Sequence, residues 1–282
     1  MDLNNGANNE SKRITVIKPK AGLSLTDLTE LWRYRELFYI LAARDIKVRY
    51  KQTVFGSLWA IAQPLLTMAI FSFFFGKLAQ IPSEGIPYPI FSYSGLLLWM
   101  FFNNAVNIAS SSLLNDARLI SKVYFPRLIL PIATTFVSIV DYFVAGSILI
   151  LMMFFYKVTF HPMILLVPII LFFTWMLSAG LSLFFSALYI RYRDIKYVIP
   201  FFFQLLIFMT PVIYPISVSG RFKWLLQLNP MSGLIEAHRV LILGNYPIDW
   251  RILLISIVFT IIIFISGLLY FKRVERYFAD II

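Results

Sequence analysis

The sequence has no cysteine. Disulfide scaffolds, thiolate zinc sites, iron–sulfur clusters and cysteine nucleophiles are therefore excluded. Charge is scarce as well: 14% of the 282 residues are charged, against about 25% in ordinary soluble domains. With 60% hydrophobic residues and a mean hydropathy of +0.79, neither a soluble globular protein nor a disordered one fits. The apolar residues come in long continuous runs, not in alternation, which excludes an outer-membrane barrel. There is no GxxxxGKS/T phosphate loop, so nucleotide is not bound in that manner. No HExxH, GxSxG or clustered acidic ligands occur, so nothing points to an intramembrane hydrolase or a metal site. No inverted internal repeat of the secondary-transporter kind is visible. The first 22 residues are polar and lack the apolar core of a signal peptide, so the expectation is entry into the membrane through the chain's own spans.

What is present is a set of apolar runs. A helix needs about 20 apolar residues to cross a bilayer, and six segments qualify: 56–76, 88–113, 128–155, 163–190, 197–217 and 251–271. Asp141 is the one charge deep inside them. The N-terminal arm, the loops near 114–127 and 191–196 and the tail after 271 hold 19 of the 25 Lys and Arg. The excess of cations on one side predicts that those parts, and both termini, are cytoplasmic. The expected organisation is a disordered cytoplasmic arm over 1–23, amphipathic interface helices over 24–54, and a six-span domain over 55–282.

Residues 215–250 form the largest external segment, which contains Pro215, Pro230 and Pro247. The run MSGLIEAHRVLIL (231–243) reads as a helix too short to cross, hence re-entrant or interfacial. Glu236 and Arg239 read as an i,i+3 surface pair beside a solvated His238. Pro200, Pro211 and Pro215 break the fifth span.

Of three cytoplasmic motifs, two have a functional and a plain reading. In ELFYILAARDIKVRYKQT (36–53), Arg44, Lys47 and Lys51 share one stripe at helical spacing, beside Leu37, Leu41 and Val48. Either this basic amphipathic helix anchors on anionic lipid, or its cations, Arg49 included, receive a phosphate-bearing substrate. In NDARLISKVYFPR (115–127), Asn115 or Asp116 can cap a short helix that Pro126 ends. Leu119, Ile120 and Val123 make its apolar face beside Arg118 and Lys122. It either docks into another protein's groove or rests on headgroups. The basic loop RYRDIKY (191–197) reads as cytoplasmic and no more.

Asp141 is either an ion or proton site or a carboxyl bonded to a neighbouring Ser, Tyr or backbone group. No Lys, Arg, Glu or His lies at similar depth in the other spans. The 49 aromatic residues serve as lipid-facing and interfacial side chains, or some line a conduit and stack on sugar rings. Trp59, Phe201, Phe202, Phe203 and Phe208 are the candidates for the second role.

The series RDIKVRYKQTVFGSLWAIAQPL (44–65), GLLLWMFF (95–102), LISKVYFPRLILP (119–131), RYRDI (191–195), TPVIY (210–214) and LNP (228–230) resembles the membrane subunit of ABC-2-type polysaccharide exporters, which move O-antigens, capsules and teichoic acids. The resemblance covers about residues 30–275. It implies an all-α integral membrane protein of the ABC-2, type V exporter-like fold. That fold has six transmembrane helices, an N-terminal amphipathic interface helix and a re-entrant helical segment before the last span. It implies a homodimer in the bacterial inner membrane, paired with two copies of an ATP-binding cassette ATPase. That partner binds ATP and magnesium, so this chain is neither an enzyme nor in need of a cofactor or metal. The cargo is a polyprenyl-pyrophosphate-linked polysaccharide, with membrane lipids and no nucleic acid as further contacts.

Residue by residue, the resemblance makes Arg44, Lys47, Arg49 and Lys51 a rim for the pyrophosphate. Asn115, Asp116, Arg118, Leu119 and Lys122 belong to the helix that couples to the ATPase. Spans one and five of both copies form the conduit. Pro211, Tyr214, Pro215, Leu234 and Leu241 fall in the outer gate. The long Asn-rich arm before residue 24 departs from the simplest family pattern. The competing expectations are an ABC-2 exporter of teichoic acid, lipid or drug, and a polytopic enzyme that modifies lipid-linked glycans. The enzyme predicts a cluster of carboxylates with arginine, and none is visible in the sequence.

Overall fold

The computed structural model describes residues 32–51, 56–159, 161–244, 246–275 and 278. The predicted arm over 1–23, and residues 24–31 and 52–54 of the predicted interface region, lie outside the described residues. All regular elements among the described residues are helical.

Helix α1 (Arg35–Lys51) carries the basic motif. Its Leu41 and Ala42 are buried, and Phe38 packs edge-on against Phe136 at 5.2 Å. Val48, expected on the same apolar stripe, is exposed. Helix α2 (Gly56–Phe71) contains Pro64 and passes into a π-helical stretch, Ser72–Leu78. A spanning helix tolerates such a proline because neighbouring groups satisfy the freed carbonyl. Helix α3 (Tyr88–Asn115) is the central element, buried on most of its circumference. Helix α4 (Ala117–Lys122) is a short connector, and α5 (Ile129–Phe155) carries Asp141.

A 3₁₀ turn, Pro162–Leu166, leads into α6 (Val167–Arg191). Helix α7 (Ile195–Leu206) contains Pro200 and gives way to turns over 207–215. A second 3₁₀ segment (Ile216–Phe222), α8 (Lys223–Leu228), α9 (Pro230–Leu243) and α10 (Trp250–Glu275) complete the chain. Helix α9 starts on a side-chain cap, Asn229 Oδ1 accepting from the Met231 amide at 3.0 Å, with Pro230 in the first position. It ends at Gly244, whose φ of 67° is the left-handed conformation that glycine adopts at little cost.

The expected spans are realised unequally. Leu58–Leu78, Ile129–Phe155, Pro162–Arg191 and Trp250–Glu275 are long and apolar enough to cross a membrane. Helix α3 has the length, about 42 Å for its 28 residues. However, Ser, Asn and Tyr dilute its hydropathy, and the surrounding helices cover it. The fifth predicted span is not one helix: α7 has 12 residues, about 18 Å, against a hydrocarbon core of about 30 Å. Pro200 weakens it from within, and Pro211 and Pro215 prevent its continuation.

Helices α6 and α10 cross in close contact. A Cβ placed on Gly267 would lie 2.1 Å from the Gly180 carbonyl oxygen. Only two glycines let the backbones approach so closely, as small residues do in membrane bundles.

Candidate functional site

One end of the bundle, predicted from loop charge to face the cytoplasm, is built around α1. Arg44 reaches the α3–α4 junction, where its two terminal nitrogens meet the two Asp116 oxygens at 2.8 and 2.7 Å. The same guanidinium holds Asp45, Nε to Oδ1 at 2.9 Å, and Asp45 accepts from Thr134 of α5 at 3.2 Å. A bidentate arginine–carboxylate pair is both strong and directional. The Asp116 contact, with Asp45 adding to it, holds the Arg44 pKa above its ordinary value despite the opposing effect of burial. One helical turn further, Arg49 turns to α5. Its Nη2 lies 2.7 Å from Asp141 Oδ2, and its Nε donates to Oδ1 at 3.1 Å. Tyr50 donates its hydroxyl to the same carboxylate. Burial first, and then the Asp141 carboxylate, raise the Tyr50 pKa, so it remains a donor.

The four cations expected on one rim are thus divided. Arg44 is joined to a carboxylate at the α3–α4 junction and Arg49 to one on α5, while Lys47 and Lys51 are exposed. Asp141 finds its partner in an arginine from α1, not in a span, and not only in a tyrosine. Sequence reasoning missed this pair because it compared spans with spans.

Asp116 occupies the N-cap position of α4, but its side chain makes no capping bond there; Arg44 takes it. Asn115 donates to Ser111 at 3.3 Å instead of capping. The helix stops at Lys122, and Val123 is already extended, so it ends before Pro126 acts. Leu119 packs inward with Ile120, whereas Arg118, Lys122, Val123 and Tyr124 are exposed. The element therefore offers a small mixed basic and apolar surface.

Helices α2 and α7 face one another across a cleft of about 640 Å³, floored by α3. Phe203 and Phe208, two of the expected conduit aromatics, line it. Phe203 also packs into the core, 5.3 Å from Phe102 and 6.2 Å from Trp99. Trp59, Phe201 and Phe202 are exposed, but they lie outside this cleft. The polar share of the lining comes from Gln63, Thr67, Asn103, Asn104, Asn107 and Gln204, none of which had been singled out. The signal was available: three asparagines in five residues of an apolar helix are too costly to face lipid.

At the other end, α9 is not a surface element. Glu236 and Arg239 do pair, at 3.1 Å, but Arg239 is completely buried, and so is His238. The reason is packing: α9 sits against α3, α6 and α10, so its polar residues turn to protein partners. Arg239 Nη2 donates to the carbonyls of Pro211 and Val212 at 3.0 and 3.2 Å. Its guanidinium stacks 3.8 Å above the Phe91 ring. Gly95 makes the room, since a Cβ there would lie 2.6 Å from Arg239 Nη2. His238 bonds Tyr142 at 2.8 Å. Tyr88 donates to the Ile213 carbonyl at 2.8 Å, and Asn229 Nδ2 to Thr210 Oγ1 at 2.8 Å.

The TPVIY turn is thus clamped by three side chains, one from α3 and two from α9 and its N-cap. Pro211 and Pro215 are buried and Tyr214 is half-buried; Leu234 and Leu241 are buried core residues of α9.

The profile of the ABC-2 type transporter family matches residues 36–243. The chain belongs to that family. In this ABC-2 chain the matched stretch runs from α1 to the end of α9, so the α1 latch, the cleft and the Arg239 clamp all lie within it. The ABC-2 chain is also similar to individual proteins along most of its length. It is 29% identical to the O-antigen export system permease protein RfbA of Klebsiella pneumoniae over 253 residues, 88% of this chain and 95% of the relative. To RfbA of Myxococcus xanthus it is 27% identical, covering 75% of this chain and 82% of the relative. To the polysialic acid transport protein KpsM of Escherichia coli it is 23% identical, covering 84% and 92%. With its four apolar helices, this ABC-2 transporter chain is a multi-pass membrane protein.

Proposed function

We propose that the chain is the permease subunit of an ATP-driven exporter that carries a polyprenyl-pyrophosphate-linked polysaccharide of the O-antigen class to the outer face of the bacterial inner membrane. The observation that carries this reading is the near full-length similarity to proteins named for O-antigen export. The cleft between α2 and α7 agrees with it, since amides and aromatic rings are the groups that suit sugars. Two copies pair with two copies of an ATP-binding subunit, which holds ATP and magnesium; this chain supplies no nucleotide or metal site.

In this reading six passes are made by the four apolar helices, by α3, and by α7 together with its following turns. Helix α9 is re-entrant from the outer side, and both termini are cytoplasmic. Lys47 and Lys51 attract the pyrophosphate at the inner interface, while Arg44 and Arg49 fix the helix that presents them. Helix α4 seats in the ATP-binding subunit. Because Arg44 joins α1 to the start of α4, displacement of α4 carries α1 with it and opens the inner end of the cleft. The glycan then moves past Phe203 and Phe208, and the clamped TPVIY turn, with Pro211, Tyr214 and Pro215, borders its exit.

The test is genetic and biochemical. Deleting the gene should remove the surface polysaccharide and leave lipid-linked glycan inside the cell, and the wild-type chain should restore export. Export that persists in the deletion strain refutes the reading. So does solute flux by the lone purified chain, driven by a proton or sodium gradient.

A further inference from the structure

The floor of the cleft has a chemistry that the aromatic conduit does not account for. Asn103 and Asn107 stand one turn apart on α3, a rise of about 6 Å, close to the length of one sugar ring along a chain. Asn107 Nδ2 donates to the Asn103 backbone carbonyl and to Asn103 Oδ1, both at 2.8 Å. This bond fixes the polarity of the pair: the Asn103 NH₂ and the Asn107 carbonyl oxygen keep no partner among the described residues. Gln63 on the α2 wall and Gln204 on the α7 wall are exposed, and their amides make no hydrogen bond among the described residues. The cleft therefore offers open donors and open acceptors from three helices, in a segment where lipid satisfies neither.

We infer that Gln63, Asn103, Asn107 and Gln204 form a hydrogen-bonding track for the hydroxyl groups of a saccharide. The inference rests on the export reading and deepens it, since it assigns specificity to amides and not to the aromatic faces. Amides suit this role because each hydroxyl both donates and accepts, and an amide presents one group of each kind. They also suit a moving chain: neutral hydrogen bonds are exchanged one for another, whereas a charged group holds its partner strongly. The arrangement favours neutral, hydroxyl-rich sugars. Among the described residues that line the cleft none is charged, so they offer no cation to a polyanionic glycan.

The experiment uses the full exporter in the strain that encodes it, with the strain's own surface polysaccharide resolved on a silver-stained gel. A deletion strain is complemented with wild type, Asn103→Leu/Asn107→Leu, Asn103→Ser/Asn107→Ser, or Gln63→Leu/Gln204→Leu. Each complex is also purified to measure co-purification with the ATP-binding subunit, oligomeric size and basal ATPase activity. Both leucine variants should lower export about tenfold or more, the loss of roughly two hydrogen bonds, with assembly and basal ATPase activity as in wild type. The serine variant should keep most of the export.

Wild-type export by either leucine variant overturns the inference. Failure of both to form the wild-type oligomer also overturns it, by showing that the amides bind another copy of this chain. The glutamine pair decides the matter if the asparagine pair fails to fold, because both glutamines are exposed. If the deletion strain still displays its glycan, the export reading falls, and the inference falls with it. If the deletion removes the glycan and the leucine variants restore it, only the amide track is lost.

Discussion

Arg49 Nη2 lies 2.7 Å from Asp141 Oδ2, across 92 residues of sequence. Helix α1 is thereby fixed to α5, and the one carboxylate deep in a predicted span is paired and bonded to Tyr50. Asp141→Ala leaves the Arg49 charge without this partner. The expected loss is about 1–3 kcal/mol, less than for a fully buried pair because the arginine is partly exposed. Thermal unfolding of the detergent-solubilised complex measures it. Export insensitive to collapse of the proton gradient, at constant ATP, is the matching functional result; sensitivity through Asp141→Asn would give the carboxylate a transport role.

Arg44 and Asp116 couple α1 to α4 by two parallel hydrogen bonds. Arg44→Lys keeps the charge and loses the fork, so it is not conservative here. Stability should change by about 1 kcal/mol or less, as for other partly exposed pairs. Export per ATP hydrolysed should fall severalfold in the reconstituted complex, with basal ATPase activity retained. An unchanged ratio would remove this pair from the coupling path.

Arg118 and Lys122 are exposed on α4. Arg118→Glu/Lys122→Glu should leave the melting temperature of the permease nearly unchanged, within about 0.5 kcal/mol in stability. Co-purification with the ATP-binding subunit should be lost. Retained binding at wild-type affinity would mark α4 as an ordinary connector.

Gly267 packs directly on the Gly180 backbone. Gly267→Leu forces α6 and α10 apart, since neither backbone can yield as a side-chain tip would. A loss of about 3 kcal/mol or more is expected, seen as poor recovery of folded protein from the membrane. The nearby exposed Leu269, changed to alanine, is the control and should have little effect.

Helix positions were legible because they depend on runs of apolar residues, which are local. Residues 129–155 and 250–275 fall almost where hydropathy puts them. The short helix before the last span was also legible, since residues 231–243 form a largely apolar run too short to cross a bilayer. What that helix packs against was not. Arg239 and His238 were read as surface residues because charge in a short external helix is usually solvated, and nothing local announces the carbonyls of Pro211 and Val212. The Asp141 partner was hidden for the same reason, being an arginine from a helix outside the spans. Asn103 and Asn107 were visible all along, but a polar residue inside an apolar run gains meaning only when the open space beside it is known. The rim residues separated only once the carboxylates opposite Arg44 and Arg49 had positions.

The two arginines of α1 grip different neighbours, one at the α3–α4 junction and one on α5. A rod pinned at two points to two bodies cannot swivel freely. When those bodies shift relative to each other, it must travel with one and tear from the other, or carry both together. Helix α1 is therefore held by a linkage with two separate fastenings, and whichever pair yields first decides which neighbour it stays with.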